Sequence, residues 1–103
     1  MDSLSSRRAL TEDEITAALR ELPNWTRTSD QISAKFEFAD FREAVSFIVR
    51  IGFEAEDMNH HPELHNVYNR VAVSLTTHDA GNKLTELDFR LARAIQQVAD
   101  GHA

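Results

Sequence analysis

The chain of 103 residues has no cysteine and no long apolar run, and its basic residues are outnumbered by acidic ones. Without cysteine it has no disulfide, no thiolate nucleophile and no zinc–sulfur site. No apolar run approaches the roughly 20 residues that a membrane-spanning helix needs, so no membrane partner is expected. The 17 acidic and 11 basic residues give a formal net charge of −6. Because binding to a phosphate backbone depends on Lys and Arg, this balance argues against nucleic acid as a direct ligand.

The length and composition predict one domain that self-association would stabilise. A chain of 103 residues with 42% hydrophobic residues fits a single domain with a core of its own. Because so short a chain leaves much of its surface exposed, an oligomer would cover apolar area that the monomer cannot bury. Residues 1–8 hold two arginines with no apolar segment after them, which predicts a disordered lead rather than a secretion signal. The domain is therefore expected to span residues 9–103, and its expected compartment is the cytosol.

Three helices are predicted from their start signals. Capping boxes, in which two residues three positions apart satisfy each other's backbone N–H groups, are predicted at residues 11–14, 40–43 and 85–88. The helices that follow are expected to end before Pro23, at about Asn59 and near Gly101. The second helix is apolar on more than one side, which predicts burial on two sides, part of it as an oligomer interface.

Two hairpins are predicted between the helices. Apolar and polar residues alternate over residues 32–38 and again over residues 71–75, as they do in half-buried strands. Shorter β-prone stretches at residues 25–28 and 63–68 precede them, and turn residues separate each pair. The resulting order, α-β-β-α-β-β-α, predicts an α+β domain with a four-stranded antiparallel sheet and helices packed on one face.

Two adjacent histidines, His60 and His61, lie where the second helix must stop, because Pro62 follows them. Glu56 precedes His60 by four residues, so if the last helical turn extends to His60 the two side chains share a helix face and the carboxylate can orient the imidazole. His78 ends the last predicted strand and is expected to approach the same cleft from the sheet. Histidine is the residue whose ordinary pKa is nearest neutrality, and the pattern therefore favours acid–base chemistry.

These residues also have purely structural interpretations. Adjacent histidines before a proline are often exposed in a turn, Trp25 is typical of a core, and Asp88 is explained by its capping box. His65 and His102 have no neighbours that indicate a role, and both are expected on the surface.

A metal site is a further alternative. Nitrogen and oxygen ligands are available from four residues, Glu56, His60, His61 and His78. However, neighbouring histidines seldom reach one ion together, and no helix is expected to carry two histidines one turn apart. No metal is therefore expected.

The spacing of these residues resembles the signature of the pterin-4a-carbinolamine dehydratase family. Glu56 is followed after three residues by His60-His61-Pro62, after five more by Tyr68, after nine more by His78 and after nine more by Asp88. The stretches 60–71 and 76–81 are close to how that family reads, and the resemblance extends back through the second helix to Asn24 and Trp25. The loop at residues 81–84 departs from the family, because it lacks paired glycines.

The resemblance implies an enzyme that removes water from 4a-hydroxytetrahydropterin, the product left by aromatic amino-acid hydroxylases. The quinonoid dihydropterin that results would be recycled. The family also implies an α+β homodimer or homotetramer that needs no cofactor and has a hydroxylase as its functional partner.

The same resemblance implies roles for individual residues. His60 and His78 would be the acid–base pair, and His61, supported by Glu56, would shape the pocket and hold the pterin. Substrate contacts are implied for Trp25, Pro62, Thr76 and Thr77, and supporting roles for Tyr68 and Asp88.

A non-catalytic role is the alternative within the same fold. Some relatives of this fold are transcriptional coactivators, and others are assembly chaperones with a degenerate pocket. Because the three histidines and Glu56 are all present here, the resemblance favours the enzyme, and it leaves a second, binding role open.

Overall fold

A computed structural model describes residues 7–101 of the chain. Residues 1–6 of the predicted disordered lead, and His102, lie outside that range. The elements follow in the order α1 (Glu12–Leu19), β1 (Thr26–Thr28), β2 (Gln31–Glu37), α2 (Phe41–Met58), β3 (Glu63–Val67), β4 (Arg70–Leu75) and α3 (Glu86–Asp100), with a short 3-10 turn at His78–Ala80 before α3. The predicted order of helices and strands is therefore confirmed.

The helix starts follow the capping residues in the sequence. Thr11 and Thr85 each begin a complete capping box, at α1 and α3. At α2, Asp40 accepts a hydrogen bond from the backbone N–H of Glu43 at 2.9 Å. These contacts satisfy N–H groups that have no partner within the helix.

The first helix ends earlier than the proline signal predicts. It stops at Leu19, four residues before Pro23. The backbone N–H of Leu22 bonds to the carbonyl of Leu19 at 3.0 Å, which tightens the chain into a three-residue turn. Leu22 is only 3% exposed. Core packing of Leu22 therefore decides where the chain leaves the helix, ahead of the proline.

The four strands form one antiparallel sheet, as predicted, and the structure gives their order in it as β1-β2-β4-β3. One face is buried against the helices and carries the apolar side chains Ile32, Ala34, Phe36, Val71, Val73 and Leu75. The opposite face, which we call the open face, carries the intervening residues of the same strands, including Ser33, Lys35 and Ser74. The site described below lies at one end of this open face.

Helix α2 has two apolar sides, as its sequence predicts. Ala44, Phe47, Ile51 and Ala55 recur at helical spacing and pack in the core. A second row, Phe41, Val45, Val49 and Phe53, is exposed to solvent, with Phe53 at 67%. No helix within residues 7–101 has the length and apolar character that crossing a membrane would require.

Candidate functional site

The end of α2 separates the two adjacent histidines. Asn59 adopts a left-handed conformation with φ of 50°, which asparagine tolerates better than most residues. The N–H of Asn59 bonds to the carbonyl of Glu56 at 3.0 Å, and the N–H of His60 bonds to the carbonyl of Ala55 at 3.1 Å. This pair of bonds is a Schellman ending. After it, His60 is buried at 6% exposure, whereas the side chain of His61 is 60% exposed.

His60 contacts a buried carboxylate on another helix. Its Nε2 lies 2.7 Å from Oδ1 of Asp88, which is completely buried. The other oxygen, Oδ2, accepts hydrogen bonds from the hydroxyl of Thr77 at 2.8 Å and from the backbone N–H of Thr85 at 2.9 Å. The hydroxyls of Thr77 and Thr85 are 2.7 Å apart. Every buried side-chain nitrogen and oxygen among residues 7–101 has a partner, as a buried polar network requires.

Asp88 therefore has more than the capping function that explains it in the sequence. Its contacts join the start of α3 to His60, which directly precedes His61, and to Thr77, which directly precedes His78. The sequence indicates the acidic partner of the capping box at this position. The predicted capping box accounts for its contact with Thr85, but the sequence contains no signal that Thr77 and His60 would join this pair, because they approach it only through the tertiary fold.

Glu56 contacts His61 rather than His60. The distance between its Oε1 and Nε2 of His61 is 2.9 Å, and both side chains are largely exposed. The helix-face contact with His60 required the last turn of α2 to extend to His60, and the left-handed residue Asn59 ends the helix before it. Glu56 instead contacts the histidine that the resemblance implied it would support. The ring of His60 then turns into the core and that of His61 turns back toward Glu56.

His78 lies beyond the sheet, at the start of the 3-10 turn. Strand β4 ends at Leu75, so the expectation that His78 ends the strand is wrong by three residues. Backbone pairing between Thr77 and Lys83 closes the loop that follows, with Gly81 and Asn82 in left-handed conformations. That closure brings Oδ1 of Asn82 to 2.8 Å from Nδ1 of His78. With Nδ1 donating to this amide oxygen, Nε2 keeps a lone pair for a ligand.

His61 and His78 line the same cavity. It is small, about 10 Å³, and its other lining residues are Gln31, Glu63, Ser74, Leu75 and Thr76. An open depression of about 480 Å³ adjoins it and shares Gln31, Glu63, Thr76 and His78 with it. That volume falls within the roughly 300–1,000 Å³ of ordinary small-molecule sites. The two together form the candidate site.

A depression of about 500 Å³ elsewhere on the open face is slightly larger. Lys35, Val67 and Ala72 are among its lining residues, with His65 as its one histidine. None of the residues predicted for the site lines it. The side chain of His65 is exposed and has no hydrogen bond or ion pair among residues 7–101. We therefore place the site at His61 and His78, where acid–base groups converge, and not in this depression.

Some predicted substrate contacts lie elsewhere in the fold. The Trp25 side chain is 4% exposed, its Nε1 donates to Gln96 at 3.0 Å, and its ring packs edge-on to Phe36. It is therefore a core residue and does not line either cavity of the site. Thr77 is 1% exposed, and its hydroxyl is bonded within the Asp88 network.

Of the remaining predicted residues, Thr76 lines the candidate site, and Tyr68 and Pro62 do not. Thr76 lines both cavities, and its hydroxyl donates to the backbone carbonyl of Asp30 at 2.8 Å. Tyr68 is 62% exposed, in the turn between β3 and β4. Pro62 is half-buried between His61 and β3 and is absent from the lining of both cavities. Within residues 7–101, no three His, Asp or Glu side chains are arranged to hold a metal ion.

Comparisons with known proteins give a consistent result. A family profile described as pterin 4 alpha carbinolamine dehydratase matches residues 8–98. A protein of Opitutus terrae, provisionally named a pterin-4-alpha-carbinolamine dehydratase, is 49% identical over 90 residues, which are 87% of this chain and 93% of that protein. A protein of Burkholderia cenocepacia with the same provisional name is 50% identical over 92 residues, covering 87% of this chain and 89% of its own length.

The fold also matches a solved structure. A crystal structure from Brucella melitensis, described as a transcriptional coactivator/pterin dehydratase, superposes with a TM-score of 0.85 at 41% sequence identity. The match covers 89% of this chain and 99% of that one. Both the sequence and the architecture are therefore similar along nearly the whole length.

Proposed function

The chain belongs to the pterin-4-alpha-carbinolamine dehydratase family, and on that basis we propose that it dehydrates a 4a-hydroxytetrahydropterin with His61 and His78 as its acid–base pair. One observation carries this assignment. Two exposed imidazoles line one cavity, and a polar side chain holds each of them through a single ring nitrogen. The second nitrogen of each ring is left for the substrate.

The reaction needs a proton donor and a proton acceptor, and it transfers no electrons to an external acceptor. The acid protonates the hydroxyl on C4a, and the C–O bond breaks as the lone pair of the neighbouring ring nitrogen forms a C=N bond. The base takes the proton of that nitrogen, which leaves water and the quinonoid dihydropterin. Two positioned imidazoles are enough for both transfers, and each such group typically contributes about 10²–10⁴-fold to the rate.

This assignment exchanges the roles that the resemblance implied for the adjacent histidines. His60 is buried, and its Nε2 is engaged by Asp88 at 2.7 Å. His61 is exposed beside the cavity, and Glu56 orients its ring. We assign proton transfer to His61 and a positioning role to His60. Thr76, which lines both cavities, stays a proposed substrate contact.

Asp88 is proposed as the residue that positions both catalytic histidines. Through His60 it holds the segment that continues into His61, and through Thr77 it holds the segment that continues into His78. A buried carboxylate that accepts from three donors has one favourable arrangement. Asp88 therefore fixes the positions of both segments relative to each other.

A biological role follows from the reaction. We infer that the chain returns the oxidised pterin product of an aromatic amino-acid hydroxylase to the recycling route, with that hydroxylase as its functional partner. The family assignment supports this role. The cytosolic location inferred from the sequence stays a prediction.

The exposed row of α2 supports a second proposal, self-association. Phe41, Val45, Val49 and Phe53 are each more than a third exposed and recur every four residues along one side of the helix. A contiguous apolar row of this kind typically marks an interface. We propose that a second copy covers it, giving a homodimer or homotetramer. A binding role on the same row, as the description of the Brucella melitensis protein suggests for that protein, is the alternative occupant.

The activity is tested by generating 4a-hydroxytetrahydropterin in situ and following its ultraviolet decay with and without the protein. We expect acceleration by the wild type, a loss of at least about 10²-fold in His61→Ala and in His78→Ala, and unchanged acceleration in His65→Ala, the matched control. Each of the two variants should also lose one limb of a bell-shaped pH–rate profile, which assigns acid and base. No acceleration by folded wild-type protein would refute the proposed enzyme.

A further inference from the structure

The candidate site contains one carboxylate that no other described side chain engages. Glu56 is bonded to His61, and Asp30 accepts from Nζ of Lys83 at 3.3 Å. Glu63 is exposed, and within residues 7–101 its carboxylate has neither a hydrogen bond nor an ion pair. A ligand in the site would therefore meet this carboxylate with both of its oxygens available.

The backbone places Glu63 beside the proton-transfer residues. Glu63 begins β3, two residues after His61, and side chains two residues apart in an extended chain point to the same side. Both residues line the small cavity, together with His78. Glu63 also lines the adjoining depression of about 480 Å³. It therefore faces the space between the histidines and the larger opening.

The chemistry of a pterin matches such a carboxylate. The pyrimidine ring presents a ring N–H and an exocyclic 2-amino group side by side, as two parallel donors. A carboxylate accepts two parallel hydrogen bonds, and such bidentate, charge-assisted contacts are among the stronger and more specific ones. We propose that Glu63 binds this amino edge and makes the site specific for 2-aminopteridines, an inference that rests on the proposed function.

The distances are compatible with the proposed reaction. Two residues of extended chain separate the positions of His61 and Glu63 by about 6.8 Å. The distance from C4a across the six-membered ring to the amino edge, increased by one hydrogen bond of about 2.9 Å, is similar to this separation. A pterin held by Glu63 at its amino edge can therefore reach His61 with C4a, and His78 lines the same small cavity.

The test compares two ligands that differ at one position. Pterin carries an amino group at C2, and lumazine carries a carbonyl oxygen there, which a carboxylate would repel. Fluorescence titration of the folded wild type should give at least about tenfold tighter binding of pterin than of lumazine. In Glu63→Gln the preference should disappear, because the amide can donate to the lumazine oxygen and accept from its ring N–H.

Glu37→Gln is the matched control. Glu37 is an exposed glutamate at the far end of β2, where it lies opposite Arg70 of β4. Arg70 is four residues along β4 from Ser74, the residue that pairs with Glu63. It lines neither cavity of the site, so the variant should keep the wild-type preference. Circular dichroism of each variant checks the fold before titration.

Several outcomes would overturn the assignment of Glu63. One is a Glu63→Gln variant that keeps the preference for pterin, and another is equal weakening of both ligands. A third is loss of the preference in Asp30→Asn but not in Glu63→Gln. The dehydration assay separates these failures from failure of the proposed function. If the wild type dehydrates the substrate and Glu63→Gln still prefers pterin to lumazine, only the role of Glu63 is refuted.

Discussion

At the scale of single residues, His60 and His61 are adjacent in the chain and opposite in surroundings. His60 is enclosed and bonded to a buried carboxylate, whereas His61 is exposed beside a cavity and bonded to Glu56. The residue types alone predict acid–base chemistry near residue 60. Which ring faces the substrate depends on the dihedral angles of Asn59, and no side-chain pattern in the sequence encodes those angles directly.

We predict that Asp88→Asn impairs both activity and stability. In the variant an amide NH2 group replaces one carboxylate oxygen. Because this group is itself a hydrogen-bond donor, it cannot accept from the donor that faces it, and the unfolding free energy should fall by about 1–3 kcal/mol. The turnover number should fall well beyond the loss in substrate affinity, because the segments leading to His61 and His78 both lose a fixed partner. Denaturant titration and steady-state kinetics at a temperature where the variant stays folded measure the two effects.

Two further results distinguish positioning by Asp88 from simple destabilisation. The ring signals of both His61 and His78 should shift in NMR spectra of Asp88→Asn. Thr11→Ala, which removes the cap of α1 at a cost of about 1 kcal/mol, should leave those signals and the turnover number unchanged. Equal turnover in the Asp88 variant and the wild type would contradict the positioning role.

At the scale of elements, the helix starts were predictable because their signals are local. Thr11 and Thr85 act on N–H groups two or three residues away, so the sequence contains both partners of each bond. The end of α1 was not predictable from Pro23. Leu22 bends the chain toward the core, and that contact involves residues distant in sequence.

The start of α1 should also give a pH dependence to stability. The Arg8 guanidinium, helped by the backbone N–H of Thr11, lowers the pKa of Glu14 from 4.5 to about 2. A lowered pKa means that the charged carboxylate stabilises the fold above pH 4.5, and that this contribution is lost as the pH falls from 4.5 toward 2. In Glu14→Gln the contribution is absent at every pH.

Chemical denaturation of wild type and Glu14→Gln between pH 2 and 7 measures this effect. The two unfolding free energies should differ above pH 4.5, the wild type being the more stable, and should converge near pH 2, where the Glu14 carboxyl is becoming protonated. Glu21→Gln, an exposed glutamate without an ion pair among residues 7–101, is the matched control. A constant difference across the whole range would contradict the assignment of the low pKa to Glu14.

At the scale of the whole molecule, the sheet and α2 bring the site together and leave an apolar row uncovered. His61 enters from the end of α2, His78 from beyond β4, and Asn82 from the loop before α3. The same helix exposes Phe53 and its neighbours on the side away from the core. The site thus follows the end of α2, and the apolar row runs along the exposed side of the same helix.

We predict that Phe53→Glu dissociates the oligomer. Phe53 is the most exposed member of the row, and an unpaired charge buried in an apolar interface costs several kcal/mol, so the variant should sediment at the monomer mass of 11.7 kDa. Ala17→Glu, which places the same charge on an exposed position of α1, should keep the mass of the wild type. A wild type that is already monomeric at micromolar concentration would contradict self-association through this row.

The sequence by itself determined the order of the elements, the two sides of α2 and the residue types of the site. Each of these rests on periodicity or on bonds within a few residues, which a linear pattern contains. Only the tertiary structure decided between His60 and His61 as the partner of Glu56, placed Trp25 in the core and joined Thr77 and His60 to the Thr85–Asp88 pair. The physical reason is the same in each case: these contacts depend on the direction in which a buried or left-handed residue turns the chain, and on partners brought close by packing.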